Sequence, residues 1–105
     1  MKSKSQNTTN KLAPVHPGEI LKETLEDLEM SMNQLAQALH VPANRISGIV
    51  AGSRAITGET ALRLARYFAT TPAYWIHRQA QYELETARDR FEAEIQKQVS
   101  PMRAA

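Results

Sequence analysis

Apolar residues recur along this chain at three- and four-residue spacing in five stretches, and none alternates at the period of two that a half-buried strand needs. The pattern predicts an all-α domain of five helices. The first stretch puts Ile20, Leu21, Leu25 and Leu28 on one face, with Pro17 at the first helical position. Glu19 sits in the first turn, where an acid suits the helix dipole. The second helix is short, about Met32 to Leu39. Ser31 and Gln34 have capping-box spacing, Leu35, Ala36 and Leu39 face inward, and Pro42 ends it by pushing its neighbour out of the helical region. A third helix runs roughly from Ala43 to Ala51 and closes at Gly52. After a loop over Gly52–Ser53–Arg54–Ala55–Ile56, Thr57 caps a fourth helix with Ala61, Leu62, Ala65 and Phe68 inward. Thr71–Pro72 opens the last helix, in which Trp75, Ile76, Ala80, Leu84, Ala87, Phe91 and Ile95 form one stripe to about Val99.

Composition narrows the class. Residues 1–13 are polar and basic, with Lys2, Lys4 and Lys11 and no acid, and read as a disordered arm. Residues 14–99 read as the folded domain and 100–105 as a flexible tail. With 105 residues there is room for one core. The arm lacks the apolar centre of a secretory signal, and no apolar run reaches the roughly 20 residues that span a bilayer. The absence of cysteine removes disulfides and thiolate metal sites. These features are expected of a cytoplasmic protein. His16, His40 and His77 fall on separate elements without ligand spacing, so neither a metal nor another cofactor is expected. No nucleophile–base pair, carboxylate pair or phosphate loop has usable spacing either, which argues against an enzyme.

The net charge of +2 matters less than its distribution. Glu19, Glu23, Glu26, Asp27 and Glu29 make the first helix acidic, whereas Met30 to Gly58 contains no Asp or Glu and carries Arg45 and Arg54. Such a stretch lets a polyanion approach without repulsion. Within it, two short helices joined at His40–Val41–Pro42 form a helix-turn-helix pattern, with small Ala36 where the helices cross and Ile46 with Ile49 or Val50 inward. At about 100° per residue, the face opposite Ile46 carries Asn44, Gly48 and Ala51, flanked by Ser47 and Arg45. That face is slim and free of acids, as entry into a major groove requires. Asn44 can pair with an adenine edge, Ser47 with a base or phosphate, and Arg45 with guanine or, from its lateral position, phosphate. Gly48 permits close approach. Ser31, Asn33 and Gln34 can offer backbone and side-chain donors to a phosphate, and Arg54 can add another. Each has a plainer reading as well: Ser31 and Gln34 as caps, Asn44 as a first-turn residue, Arg54 as a loop charge. Tyr74, Trp75 and Tyr82 read as core or as a dimer seam.

The order of motifs resembles the HigA/VapI-type antitoxins, helix-turn-helix proteins of the phage-repressor-like XRE family with a lambda-repressor-like fold. The resemblance is carried by His16–Pro17–Gly18–Glu19–Ile20–Leu21, Gln34–Leu35–Ala36, Gly52–Ser53–Arg54–Ala55–Ile56–Thr57, Ala61–Leu62–Arg63–Leu64–Ala65 and Thr71–Pro72–Ala73–Tyr74–Trp75–Ile76. Gln79–Ala80–Gln81–Tyr82–Glu83–Leu84 extends it, and the whole covers about Pro14 to Phe91. It implies a homodimer that binds inverted-repeat operator DNA, represses its own operon and neutralises a HigB-type, ribosome-dependent mRNA-cleaving toxin. The base-reading positions would be Asn44, Arg45, Ser47 and Gly48, with Ser31, Asn33, Gln34 and Arg54 on the backbone. Tyr74, Trp75, Ile76 and Tyr82 would serve the dimer.

Two departures stand out. His40 occupies a turn position often held by glycine, so either histidine tolerates a positive φ there or the turn is reshaped. The segment after Phe91 extends past the matched region and would lengthen a dimer helix. A stand-alone repressor without a toxin is the alternative, and a toxin-binding adaptor that has lost DNA binding is a third reading. The acidic first helix offers a surface for a basic toxin or is simply a solvated face.

Overall fold

The computed structural model describes residues 13–103, so the basic arm before Ala13 and the last two residues of the tail lie outside it. Five helices follow one another: α1 (Pro17–Asp27), α2 (Met32–Leu39), α3 (Ala43–Val50), α4 (Gly58–Phe68) and α5 (Pro72–Gln98), with no strand among the described residues. Pro101–Arg103 is exposed and has no regular structure.

Side-chain caps set most of the starts. Ser31 and Gln34 make both capping-box bonds: Ser31 Oγ accepts from the Gln34 N–H at 3.0 Å, and Gln34 Oε1 accepts from the Ser31 N–H at 2.8 Å. Thr57 and Thr71 accept from the N–H groups of Thr60 and Tyr74. The cap of α1 is a histidine, whose Nδ1 accepts from the Gly18 N–H at 2.9 Å. At the end of α2, His40 takes φ +60°, so the turn into α3 keeps its left-handed shape without glycine. The His40 and Val41 N–H groups then close on the carbonyls of Gln37 and Ala36. Histidine is among the residues for which this region costs least.

The core draws on every helix: Leu21 and Leu25, Leu35, Ala36 and Leu39, Ile46 and Ile49, Ala61, Leu64 and Ala65, and Trp75, with Ile56 from the loop. Three inward faces differ from the sequence reading. Leu28 is 54% exposed because α1 ends at Asp27 and leaves it as the C-cap. On α4 Leu64 is buried and Leu62 is 61% exposed, since Thr60, Ala61, Leu64 and Ala65 define the stripe and Leu62 falls beyond its edge. On α5 the buried line is Trp75 and Gln79, while Ile76, Leu84, Phe91 and Ile95 lie on the outer side.

The tightest approach joins α1 to α3. A Cβ on Gly18 would fall 1.8 Å from the Ile49 carbonyl oxygen, so the first turn of α1 rests on the backbone of the last turn of α3. His16 is buried beside this contact and meets the Tyr82 ring edge-on at 4.8 Å between centroids. The start of α1, the end of α3 and the middle of α5 therefore converge. Burial holds the His16 pKa below 6.5, with Glu19 pulling the other way. A neutral imidazole is what a capping Nδ1 acceptor requires.

Gly18→Ala should destabilise the fold by about 1–3 kcal/mol in urea unfolding, the usual penalty of forcing a methyl into packed space. The His16 contribution should be intact above its unfolded pKa of 6.5 and fade as pH falls through the lower folded value, because the unfolded chain binds the proton first. A series of urea midpoints from about pH 7.5 to 5 should fall for the wild type, and less for His16→Asn, which caps without titrating.

Candidate nucleic-acid interface

Helix α3 buries Ile46 and Ile49 and turns Asn44 and Ser47 outward. Nothing among the described residues engages the Asn44 side chain, while its carbonyl receives the Ser47 hydroxyl at 3.4 Å. Val50 packs partly against the core, so Ile49 is the fully inward residue of the pair. Gly48 has a second role besides slimness. A Cβ there would come within 3.2 Å of Arg54 Cβ and 3.5 Å of Cδ, so the Arg54 side chain folds back along this part of the helix. The Gly48 carbonyl accepts from the N–H groups of Ser53 and Arg54, which holds the loop in that position. Arg54 is thus held against α3 at Gly48, one turn on from Asn44.

The α2 candidates are less free than their exposure implies. Ser31 Oγ and Gln34 Oε1 are both occupied as acceptors in the capping box. Their remaining groups, the Ser31 O–H and the Gln34 amide N–H pair, are donors, which is what a phosphate takes. Asn33 is exposed beside them.

Arg45 faces α4. Its Nη1 lies 3.2 Å from Glu59 Oε1, and Glu59 Oε2 accepts from Arg63 Nε at 3.1 Å and Nη2 at 3.0 Å. Arg63 Nη1 donates to the Leu39 carbonyl at 2.8 Å. One chain of contacts therefore ties the end of α2 to α4 and on to α3. The hydrogen bond from Arg63, then the charges of Arg45 and Arg63, hold the Glu59 carboxyl below its ordinary range. The stretch from Met30 to Gly58 is free of acids in sequence but not in space, because the next residue returns a carboxylate to Arg45.

Of the four residues expected at a dimer seam, two serve the monomer. Trp75 is buried, with its Nε1–H donating to Thr70 Oγ1 at 3.0 Å, and Tyr82 packs on His16. Tyr74 and Ile76 are each 36% exposed, Tyr74 with the Arg78 guanidinium 4.9 Å above its ring. Gln79 is a residue the sequence reading passed over. It is buried, and its Oε1 accepts from the Ile56 N–H at 2.8 Å, pinning the loop that carries Arg54 to α5. Its signal was present: Trp75, Gln79, Tyr82 and Thr86 recur at helical spacing beside the more apolar stripe. Glu59 and Arg63 stand four apart on α4, the spacing of a helical ion pair, but nothing in sequence pairs them with Arg45 or Leu39.

This geometry has close counterparts. A helix-turn-helix family model matches residues 21–75, from the first buried leucine of α1 to the tryptophan of α5. Virulence-associated protein I of Dichelobacter nodosus is 46% identical over 79 residues, 74% of this chain and 73% of that protein. Among solved structures, an addiction-module antidote protein of the HigA family from Coxiella burnetii is 47% identical, covering 87% of this chain and 100% of that one with a TM-score of 0.85. The chain belongs to the HigA family of helix-turn-helix antitoxins. A further HigA antitoxin, from Pseudomonas aeruginosa and solved with the higBA promoter, is 38% identical with a TM-score of 0.82, covering 86% of this chain and 99% of that one. The matched helix-turn-helix segment of this HigA-family chain contains every residue of its buried core, and the outer part of α5 lies beyond it. Among its described residues no helix is long and apolar enough to cross a membrane.

Proposed function

We propose that this HigA-family protein is the antitoxin of a type II toxin–antitoxin pair. It acts in the cytoplasm as a homodimer that reads an inverted-repeat operator at its own promoter and neutralises a HigB-type mRNA-cleaving toxin. The observation that carries the DNA half is the outer face of α3, where Asn44 and Ser47 stand clear and Arg54 is folded alongside. Asn44 reads an adenine edge; Ser47, Arg54, Asn33 and the spare donors of Ser31 and Gln34 hold phosphates. The antitoxin half is supported by family membership, and the relative solved with the higBA promoter supports the DNA half as well.

Dimerisation is supported by α5. Every residue from Ala87 to Gln98 is exposed, and an isolated helix of about 12 residues is marginal in water. Ile76, Ala80, Leu84, Ala87, Phe91 and Ile95 line its outer side as one continuous stripe, with Leu84, Phe91 and Ile95 each about half exposed. A second copy seated there would bury the stripe and present two α3 helices to half-sites about 34 Å apart.

Asn44→Ala should weaken binding to the DNA upstream of its own gene by about 1–3 kcal/mol in a gel-shift series and relax preference at one base per half-site. The same variant, co-expressed with the neighbouring toxin, should still rescue growth. Loss of rescue by a folded variant would place the toxin and DNA contacts on one surface. Phe91→Asp should convert the dimer to monomer in analytical ultracentrifugation at micromolar protein and lower operator affinity at least about tenfold, the effect of losing one of two linked half-site contacts. A monomeric wild type would remove the seam.

A further inference from the structure

We propose that Glu59 tempers the protein's hold on DNA by engaging the Arg45 guanidinium that would otherwise neutralise a backbone phosphate. The inference rests on the DNA-binding reading above and concerns a residue outside α3. Arg45 lies on the flank of α3 next to Asn44, the position from which a side chain meets the sugar–phosphate edge rather than the groove floor. Its guanidinium holds Glu59 through one contact, Nη1 to Oε1 at 3.2 Å. Arg63, by contrast, is fixed on both sides, by two contacts to Glu59 Oε2 and one to the Leu39 carbonyl. Arg63 therefore keeps the carboxylate in place whether or not Arg45 stays. Arg45 is the loosely held member, with donors to spare.

Charge then decides the effect. The carboxylate side chain is 57% exposed and that of Arg45 27% exposed, so an approaching phosphate meets both charges together. Arg45 and Glu59 cancel at the range where counterions are released, and each phosphate contact at Arg45 must displace a carboxylate. A glutamate is ionised at neutral pH, and the hydrogen bond from Arg63 with the charges of Arg45 and Arg63 lowers the Glu59 pKa further, so the competition is present there. Backbone contacts carry no sequence information, so Glu59 sets the overall affinity and does not choose the site.

The test compares wild type, Glu59→Gln, Arg45→Gln and the double variant by fluorescence anisotropy, with circular dichroism melts as the folding control. Two duplexes of about 30 bp are used, one from immediately upstream of the gene and one of mixed sequence, between about 50 and 200 mM salt. Glu59→Gln keeps the side-chain shape and an acceptor for Arg63. It should bind both duplexes about three- to tenfold more tightly, with the slope of log K against log salt steeper by about 0.9 for each phosphate gained. The gain should vanish when Arg45 is also glutamine. Arg45→Gln alone should cost less than about twofold, because the charge it removes is already engaged, and a larger loss would overturn the proposal even if Glu59→Gln folds poorly. Unchanged or weaker binding by a folded Glu59→Gln overturns the proposal, as does a gain that survives Arg45→Gln. A gain confined to the upstream duplex would also overturn it, by making Arg45 a base reader. A wild type that binds neither duplex at low salt would instead overturn the DNA-binding reading itself.

Discussion

The seating of α1 on the last turn of α3 is the contact on which the remaining arrangement depends. An eight-residue helix has no independent stability, so α3 exists as a helix only because its neighbours hold it. Ile46 and Ile49 supply the apolar part of that hold, and the bare Cα of Gly18 lets the two backbones come together over Ile49. His16 closes the same junction by capping α1 and packing on Tyr82. A helix held on its inner side in this way can leave its outer side slim, as the proposed reading of DNA requires.

Polar contacts add orientation where apolar packing leaves freedom. The loop after α3 is secured twice, by the Gly48 carbonyl at its beginning and by Gln79 near its end. Arg54 lies between these two anchors and so inherits a defined place beside α3. On the flank, Arg63 reaches the end of α2 and Glu59 reaches Arg45, which links three helices through side chains at the surface. Exposed ion pairs of this kind add little to stability, and their consequence lies in how positive charge is presented.

Helix α5 has two faces with different duties. Trp75 and Gln79 complete the monomer, while the more hydrophobic stripe faces outward. The buried face can be polar because Gln79 is satisfied by the Ile56 N–H and by Glu83. A buried polar group whose bonds are met costs little and directs the loop, whereas an exposed apolar stripe gains only when another surface covers it. The same helix therefore connects the loop proposed to face DNA to the seam proposed for a second copy.

Local chemistry was legible in the sequence. The five helices, the capping box at Ser31 and Gln34, the stop at Pro42 and the outward placement of Asn44 follow from spacing, propensity and turn residues, all of which act over a few positions. The left-handed turn at His40 was foreseen as one of two outcomes, and the structure selects it. What the sequence left open depends on contacts between residues distant along the chain. The inward face of α5 is the one whose residues meet distant partners: Trp75 in the core, Gln79 on the Ile56 N–H and Tyr82 against His16. Which of Leu62 and Leu64 is buried was decided by how α4 rests on its neighbours. The carboxylate at Arg45 comes from fourteen residues away, because α4 packs on α2 and α5 in a way that brings its first turn beside that side chain. Hydrophobic periodicity specifies that a face must be buried, but the partner that covers it, and the charge placed beside it, are fixed only when the helices pack.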